Sequence, residues 1–569
     1  MRSRFISLML AVVMLMISGC GSEVKMTTTP DEHQAGTADN KREDAGEDAG
    51  DDAEDAESTA KNTSGSDGVS GASLFSGSTD GKSIQLINTY FDESRYDESS
   101  SDLYFQCFGN HILCTFEMEK AYPRLAAELN KIADNEEKSM RDRIREFEKD
   151  AQDYARDMKK SGVKAYYSDY AEDVLKRADE RCVSIIRVVN GFLGGAHPDY
   201  YFETYNISSK TGERIRLSDV VTDQKKLNDV LEKKLTEDYP DVEFFDLKES
   251  LGEYDMSITE GKDEDDGYHY AYDFTLDPDG VSFYFSPYGI SAYAFGSQVV
   301  KILYSEEPSL FKEDYAMKEG YVSYFIDLDN KYDIGGDVKS VSIDKSDFDE
   351  NGYFTSFDVT MGEDKAGSGE TYCYGLRSFI VHTGDGRDYA YIITNMDSDY
   401  KDLYVADLGG SGLTCSKTDD GFSYTYKNYL NEDSGVYGEV LPTAPDELQL
   451  AVRCDLLSTY NAYGSFKPGA KGFPELIGEY LMVPDRFTLI SKEDVKADIV
   501  DEEGRTAEKD ADISKGGRFT LYRTDGREIV DATLPDGRIV RFKVTGSYPH
   551  MVNDTIDEEK LFDDLFYAG

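Results

Sequence analysis

Residues 182–207 read CVSIIRVVNGFLGGAHPDYYFETYNI. Cys182 to Phe192 is rich in Val and Ile, the signature of a strand. Gly194-Gly195-Ala196-His197-Pro198 is a tight connection whose glycines can take positive φ. Tyr200 to Ile207 alternates as a second strand. Lys210-Thr211-Gly212 turns the chain, and Leu217-Ser218-Asp219-Val220 leads into a helix from about Asp223 to Asp238.

Upstream, Tyr170 to Arg177 reads as a further strand. Residues 117 to about 160 are helical, with Tyr122, Leu125, Ala126 and Leu129 at helical spacing and Pro123 suited to a first turn. From Asn135 to Lys160 the apolar stripe narrows to Met140, Ile144, Phe147, Ala151 and Tyr154, as in a solvated helix docked by one face. Residues 102–118, DLYFQCFGNHILCTFEM, fold in this reading about Gly109-Asn110 into a hairpin. Cys107 and Cys114 then oppose each other, either as a cross-strand disulfide or as buried thiols.

Downstream, Val281 to Phe285 and Val299 to Tyr304 are strands that flank Pro287-Tyr288-Gly289-Ile290-Ser291-Ala292-Tyr293. The order of helix, two strands, GGAHP, YYFETYNISSKTGERIRLSDV and DPDGVSFYFSPYGISAYAFGSQVVKILYSE resembles a known extracellular module pair. It forms the outer part of the lysozyme-sensing anti-sigma factor of Gram-positive bacteria, and it precedes the catalytic domain of a peptidoglycan deacetylase. The resemblance covers about residues 83–305 and implies a role in binding or positioning. It carries Pro287, Tyr288 and Tyr293 as partner contacts, since Tyr buries much area at low entropic cost. The alternative is that they are core residues of a tight turn. The chain departs from the family in lacking a sigma-factor-holding cytoplasmic helix and a deacetylase domain. His197, alone beside Pro198, reads as a turn residue.

The rest of the chain reads as two further β regions. Residues 306–485 carry short strands (Phe354 to Met361, Tyr389 to Thr394, Lys401 to Leu408, Gly421 to Tyr426), an antiparallel domain that is propeller-like or a sandwich. Ser323 to Asp333 opens like a Ca²⁺ loop, but Lys331 stands where an oxygen ligand is wanted, so it reads as a β-turn. Residues 486–569 alternate over Phe519 to Asp525, Glu528 to Leu534 and Arg538 to Val544, and resemble a small SH3-like barrel. Glu558 to Tyr567 reads as a closing helix. The expected fold class is therefore multidomain: an α+β module, an antiparallel β domain and a small SH3-like β-barrel.

At the N-terminus, Arg2 and Arg4 precede an apolar run, Phe5 to Ile17, too short for a stable transmembrane helix. It ends Ile17-Ser18-Gly19-Cys20, which resembles a bacterial lipobox and implies that Cys20 carries a diacylglycerol. Residues 1–20 are then a lipoprotein signal peptide, with no cytoplasmic segment before the apolar run. Localisation is expected at the extracellular face of the cell membrane, through a lipid anchor. Residues 21–80 include DNKREDAGEDAGDDAEDAESTAKNTSGSDG, an acidic tether expected to stay disordered.

Over 569 residues, 61 Lys+Arg against 113 Asp+Glu give a net charge of -52. Gly21 to Asp80 holds 15 acidic and 4 basic residues, so the charge belongs mainly to the part beyond the tether. Such a surface repels nucleic acid and anionic headgroups and attracts basic proteins. With 41 Tyr, 29 Phe and no Trp, β-rich domains with tyrosine-lined surfaces are expected. No HExxH, GxSxG, phosphate loop or CxxC occurs, and six scattered His make a His-rich metal site improbable. The sequence thus points to a binding lipoprotein with no catalytic residue, metal or cofactor. Its expected partner is a cationic protein such as lysozyme. Peptidoglycan recognition, a scaffold for a wall enzyme and an unrecognised wall-metabolism enzyme remain as alternatives.

Overall fold

A computed structural model describes residues 83–264, 267–312, 315–317, 320–326, 330–349, 351–367, 371–396, 400–410, 412–431, 434–484 and 487–568. Cys20, the expected tether and Asp327–Asp329 of the Ca²⁺-like stretch lie outside them. Strand greatly exceeds helix, and the strands fall into several sheets.

Five strands organise the N-terminal part: β1 (Leu86–Tyr96), β2 (Leu103–Cys114), β3 (Tyr167–Ala178), β4 (Cys182–Phe192) and β5 (Asp199–Ser208). β1 pairs antiparallel with β2, β3 with β4, and β4 with β5. β2 and β3 run parallel, with Phe105 opposite Tyr167 and Gly109 opposite Ala171. A parallel pair cannot be joined by a tight turn. The crossover here contains the helix Pro123–Lys160, 38 residues with Pro in its first turn. Its stripe of Leu125, Ala126, Leu129, Met140, Ile144 and Ala151 is buried.

This arrangement overturns the expected hairpin at Gly109-Asn110. Residues 103–114 are one strand, in which Cys107 lies opposite Glu93 and Cys114 opposite Leu86. Seven residues apart at about 3.3 Å each, the two sulfurs are far beyond disulfide reach. Both thiols are free and buried, and burial pushes Cys114 up to about 12. The Gly-Asn pair mimics a turn signal, but the strand needs Gly109 for another reason. A Cβ there would stand 3.1 Å from the Ala171 carbonyl oxygen and 3.2 Å from Met140.

Next, the helix Gln224–Asp238 buries Leu227, Leu231 and Leu235 in one core with a three-stranded sheet, Asp273–Leu276, Gly280–Phe285 and Gln298–Leu303. Beyond it, a five-stranded sheet (Gly320–Tyr324, Gly375–Thr383, Asp388–Asn395, Leu403–Asp407, Thr414–Lys417) shares a core with a four-stranded one (Asn330–Ile334, Asp337–Phe348, Phe354–Met361, Asp364–Gly367). Phe357 meets Tyr404 across that core, ring centroids 5.2 Å apart. Lys331 is buried and ion-paired with Asp238.

The C-terminal ladder runs Thr488–Ser491, Arg518–Thr524, Ile529–Thr533, Ile539–Thr545, Val495–Val500, Thr506–Ile513. Among the described residues it does not close, which corrects the expected barrel. Its last strand shows Glu508, Lys509, Asp510 and Asp512 to solvent, a charged edge that discourages further pairing. The expected closing helix is only Glu558–Leu561, after which the chain turns into the strand Phe562–Asp563. β1 also pairs with the strand Val436–Leu441, so an N-terminal strand and a distant one share a ladder.

Candidate functional site: two facing turns

β4 ends at Phe192, and the chain must reverse within six residues to begin β5. Gly194 and Gly195 do so at φ 91° and 125°. A side chain at Gly194 would strike the Tyr167 hydroxyl, 2.4 Å from the Cβ position. The turn delivers His197 and Pro198 to the start of β5.

A second turn, Ser286-Pro287-Tyr288-Gly289, is closed by the Gly289 N–H donating to the Ser286 carbonyl at 2.9 Å. Pro fixes the first central position. The second is Tyr288, at φ 70°. That is a type II turn, whose second central residue is normally Gly or Asn. A bulky side chain there costs of order 1–3 kcal/mol. Tyr288 is also 58% exposed, so its own burial does not offset that cost.

The two turns meet. Tyr293 stacks on His197 with centroids 4.0 Å apart at 24°. Its hydroxyl donates to the Pro198 carbonyl at 2.9 Å, and burial raises its pKa. His197 Nδ1 lies 2.9 Å from the same carbonyl, which can only accept, so Nδ1 carries the proton. Nε2 lies 3.4 Å from the Tyr288 hydroxyl. Tyr288 and Tyr293 are 5.5 Å apart. Of the three expected contact residues, Tyr288 is exposed, and Pro287 and Tyr293 are half-buried.

Reading His197 in isolation missed its two tyrosine partners, 91 and 96 residues downstream. More aromatic surface adjoins them. Tyr268 and Tyr270 are 48% and 46% exposed, with rings 4.9 Å apart. Tyr270 in turn packs on Tyr254 at 5.7 Å. The Tyr254 hydroxyl lies 3.3 Å from where a Gly289 Cβ would stand, which ties this row to the Tyr288 turn. The alternation of Tyr268, Tyr270 and Tyr272 was the available signal.

Beneath this surface the half-buried Asp273 has its pKa pushed up to about 8, by burial first and then by Glu203. The described residues hold no group of three or more His, Cys, Asp or Glu placed to bind a metal ion.

Part of this site has known counterparts. Residues 218–305 match the DUF3298 family, described as a protein of unknown function. The DUF3298 segment contains Pro287, Tyr288 and Tyr293, whereas His197 precedes it. A solved DUF3298 member from Bacteroides fragilis is 19% identical, with 41% of this chain and 94% of that chain covered, at a TM-score of 0.30. A DUF3298 protein from Pseudomonas aeruginosa is 13% identical, covering 41% and 97%, at 0.26. No curated protein matches.

Proposed function

We propose that this protein is an envelope lipoprotein that captures a cationic protein, of which lysozyme is the representative, on the surface formed by the two facing turns. One observation carries the reading: Tyr288 is held at positive φ, exposed, beside the His197–Tyr293 stack. Backbone strain that serves no packing is a reason to look for function. Exposed tyrosines favour a protein contact, and the net charge of -52 favours a basic partner by steering. The resemblance to the lysozyme-sensing anti-sigma module supports the same partner, and the lipobox-like Cys20 supports a lipid anchor.

The test is binding of the chain from Lys82 onward to lysozyme over a salt series. Nanomolar binding at physiological ionic strength, at least tenfold weaker in Tyr288→Ala, is expected. Binding that vanishes near 0.15 M salt, where the Debye length is about 8 Å, would reduce the effect to bulk attraction and sink the reading. Peptidoglycan glycan is the second reading, favoured by the exposed Tyr268–Tyr270 pair. Binding to purified peptidoglycan that Tyr270→Ala abolishes would decide for it.

A further inference from the structure

Away from the turns, a groove of about 390 Å³ opens between the long helix and β5. That is near the lower end of the range of small-molecule sites, roughly 300–1,000 Å³. Glu128, Lys131 and Glu136 are among the residues that line it from the helix, Glu203 and Tyr205 line it from β5, and Arg187, Arg214 and Glu260 also face it.

Its floor is already committed. Arg187 donates through Nε and Nη2 to the two Asp173 oxygens at 2.7 and 3.0 Å. Its Nη1 donates to Glu136 and to the Tyr205 hydroxyl, both at 3.0 Å. The Tyr205 hydroxyl in turn donates to Glu203 at 2.5 Å. These groups hold one another and fix the shape of the floor.

Arg214 is different. Its Nη2 donates to the Thr204 carbonyl at 2.7 Å, and its guanidinium lies 4.4 Å over the Tyr205 ring. Among the described residues no carboxylate pairs with it, although Glu128, Glu260 and Glu203 act on it through space. A guanidinium stays charged at any accessible pH and has five donors. Arg214 is thus held flat by the ring and the carbonyl, with donors left over. Around it stand Glu203, whose Oε2 accepts from Tyr205 and lies 3.6 Å from Arg187 while its Oε1 accepts no hydrogen bond among the described residues, and Glu260; Glu128 is paired with Lys131 at 3.0 Å.

A simple anion drawn to Arg214 would be repelled by Glu203 and Glu260. A simple cation drawn to those carboxylates would be repelled by Arg214. A small molecule with both charges satisfies both. We propose that the groove binds a zwitterion of amino-acid or dipeptide size, its carboxylate on Arg214 and its ammonium between Glu203 and Glu260.

The test is calorimetric titration of the purified full chain with alanyl-alanine, its N-acetyl derivative and its C-terminal amide, in all-L and all-D forms. The free dipeptide is expected to bind, and each blocked form at least tenfold more weakly. Tighter binding of the all-D form would assign the site to wall-type peptides, and of the all-L form to ordinary peptides; either outcome supports the zwitterion site. Arg214→Gln and Glu203→Gln should each weaken binding tenfold or more, with Arg214→Lys recovering part of the loss. Tyr288→Ala should leave it unchanged, which separates this site from the turn surface. No saturable heat at millimolar dipeptide, or an amide that binds as well as the free acid, would overturn the proposal. That ligand-side comparison uses the unmutated chain, so it stands even if a groove variant fails to fold.

Discussion

The polar cluster under the long helix and the aromatic turns beside β5 are built on opposite principles. Under the helix, Arg187 is 1% exposed and held by Asp173, Glu136 and Tyr205. Arg143 joins it by bonding Asp169 at 2.5 Å and Glu136 at 3.0 Å. At the turns, Tyr288 is strained and exposed, and makes one long hydrogen bond. The buried cluster spends its hydrogen-bonding capacity on itself and thereby fixes where the helix docks. The turn surface leaves capacity unspent, which is what a partner needs.

The strongest way to break this contrast is Arg187→Ala. It strips buried Asp173 of its bidentate partner and leaves Glu136 with Arg143 alone, and a loss of about 3–5 kcal/mol is expected in the denaturant-derived stability. A loss under about 1 kcal/mol would mean that water already reaches the cluster. Replacing Arg187, Asp173 and Glu136 together by Met, Leu and Leu should recover most of the loss, because no stranded charge remains.

Asp273→Asn sharpens the comparison from the other side. With a folded pKa raised to about 8 against about 3.9 unfolded, Asp273 favours folding at low pH. That contribution is fully present below about pH 4 and is lost as pH rises through 8. The stability advantage of the Asn variant should therefore grow from pH 4 to pH 8 and then level off, reaching on the order of 2 kcal/mol after allowance for partial exposure. Thermal melts across that range would read it, and a pH-independent difference would refute the assignment.

Tyr288→Gly separates strain from function. Relief of the positive φ should stabilise the chain by about 1 kcal/mol, while binding at the turn surface falls. A variant that loses both stability and binding would make Tyr288 a packing residue. The smallest effect is expected for Tyr293→Phe. It removes the hydroxyl donated to Pro198 but keeps the stack on His197, for about 0.5–1 kcal/mol and little change in binding.

How far the fold was legible varied from element to element. Strands β4 and β5, Phe354–Met361 and the strands from Arg518 to Thr545 followed from alternation and turn glycines, which are local properties. The helix Pro123–Lys160 followed from its stripe. Residues 103–114 misled, because Gly109 serves close packing against Ala171 and Met140 rather than a turn. The C-terminal strands were found, but their closure was misjudged, since closure depends on which edges pair. In the candidate site, Pro287, Tyr288 and Tyr293 were singled out by resemblance, while His197 was read without its partners.

The acidic character, the strand and helix periods and most of the positions where the chain reverses were legible in the residues alone. Each of these depends on residues within a few positions of one another. Packing set the rest: β2 and β3 run parallel, Arg187 is ion-paired with Asp173 and Glu136 whereas Arg214 pairs with no carboxylate among the described residues, and His197 meets Tyr288 and Tyr293. Those outcomes depend on contacts across many tens of residues, where pattern within a segment says nothing of its partner.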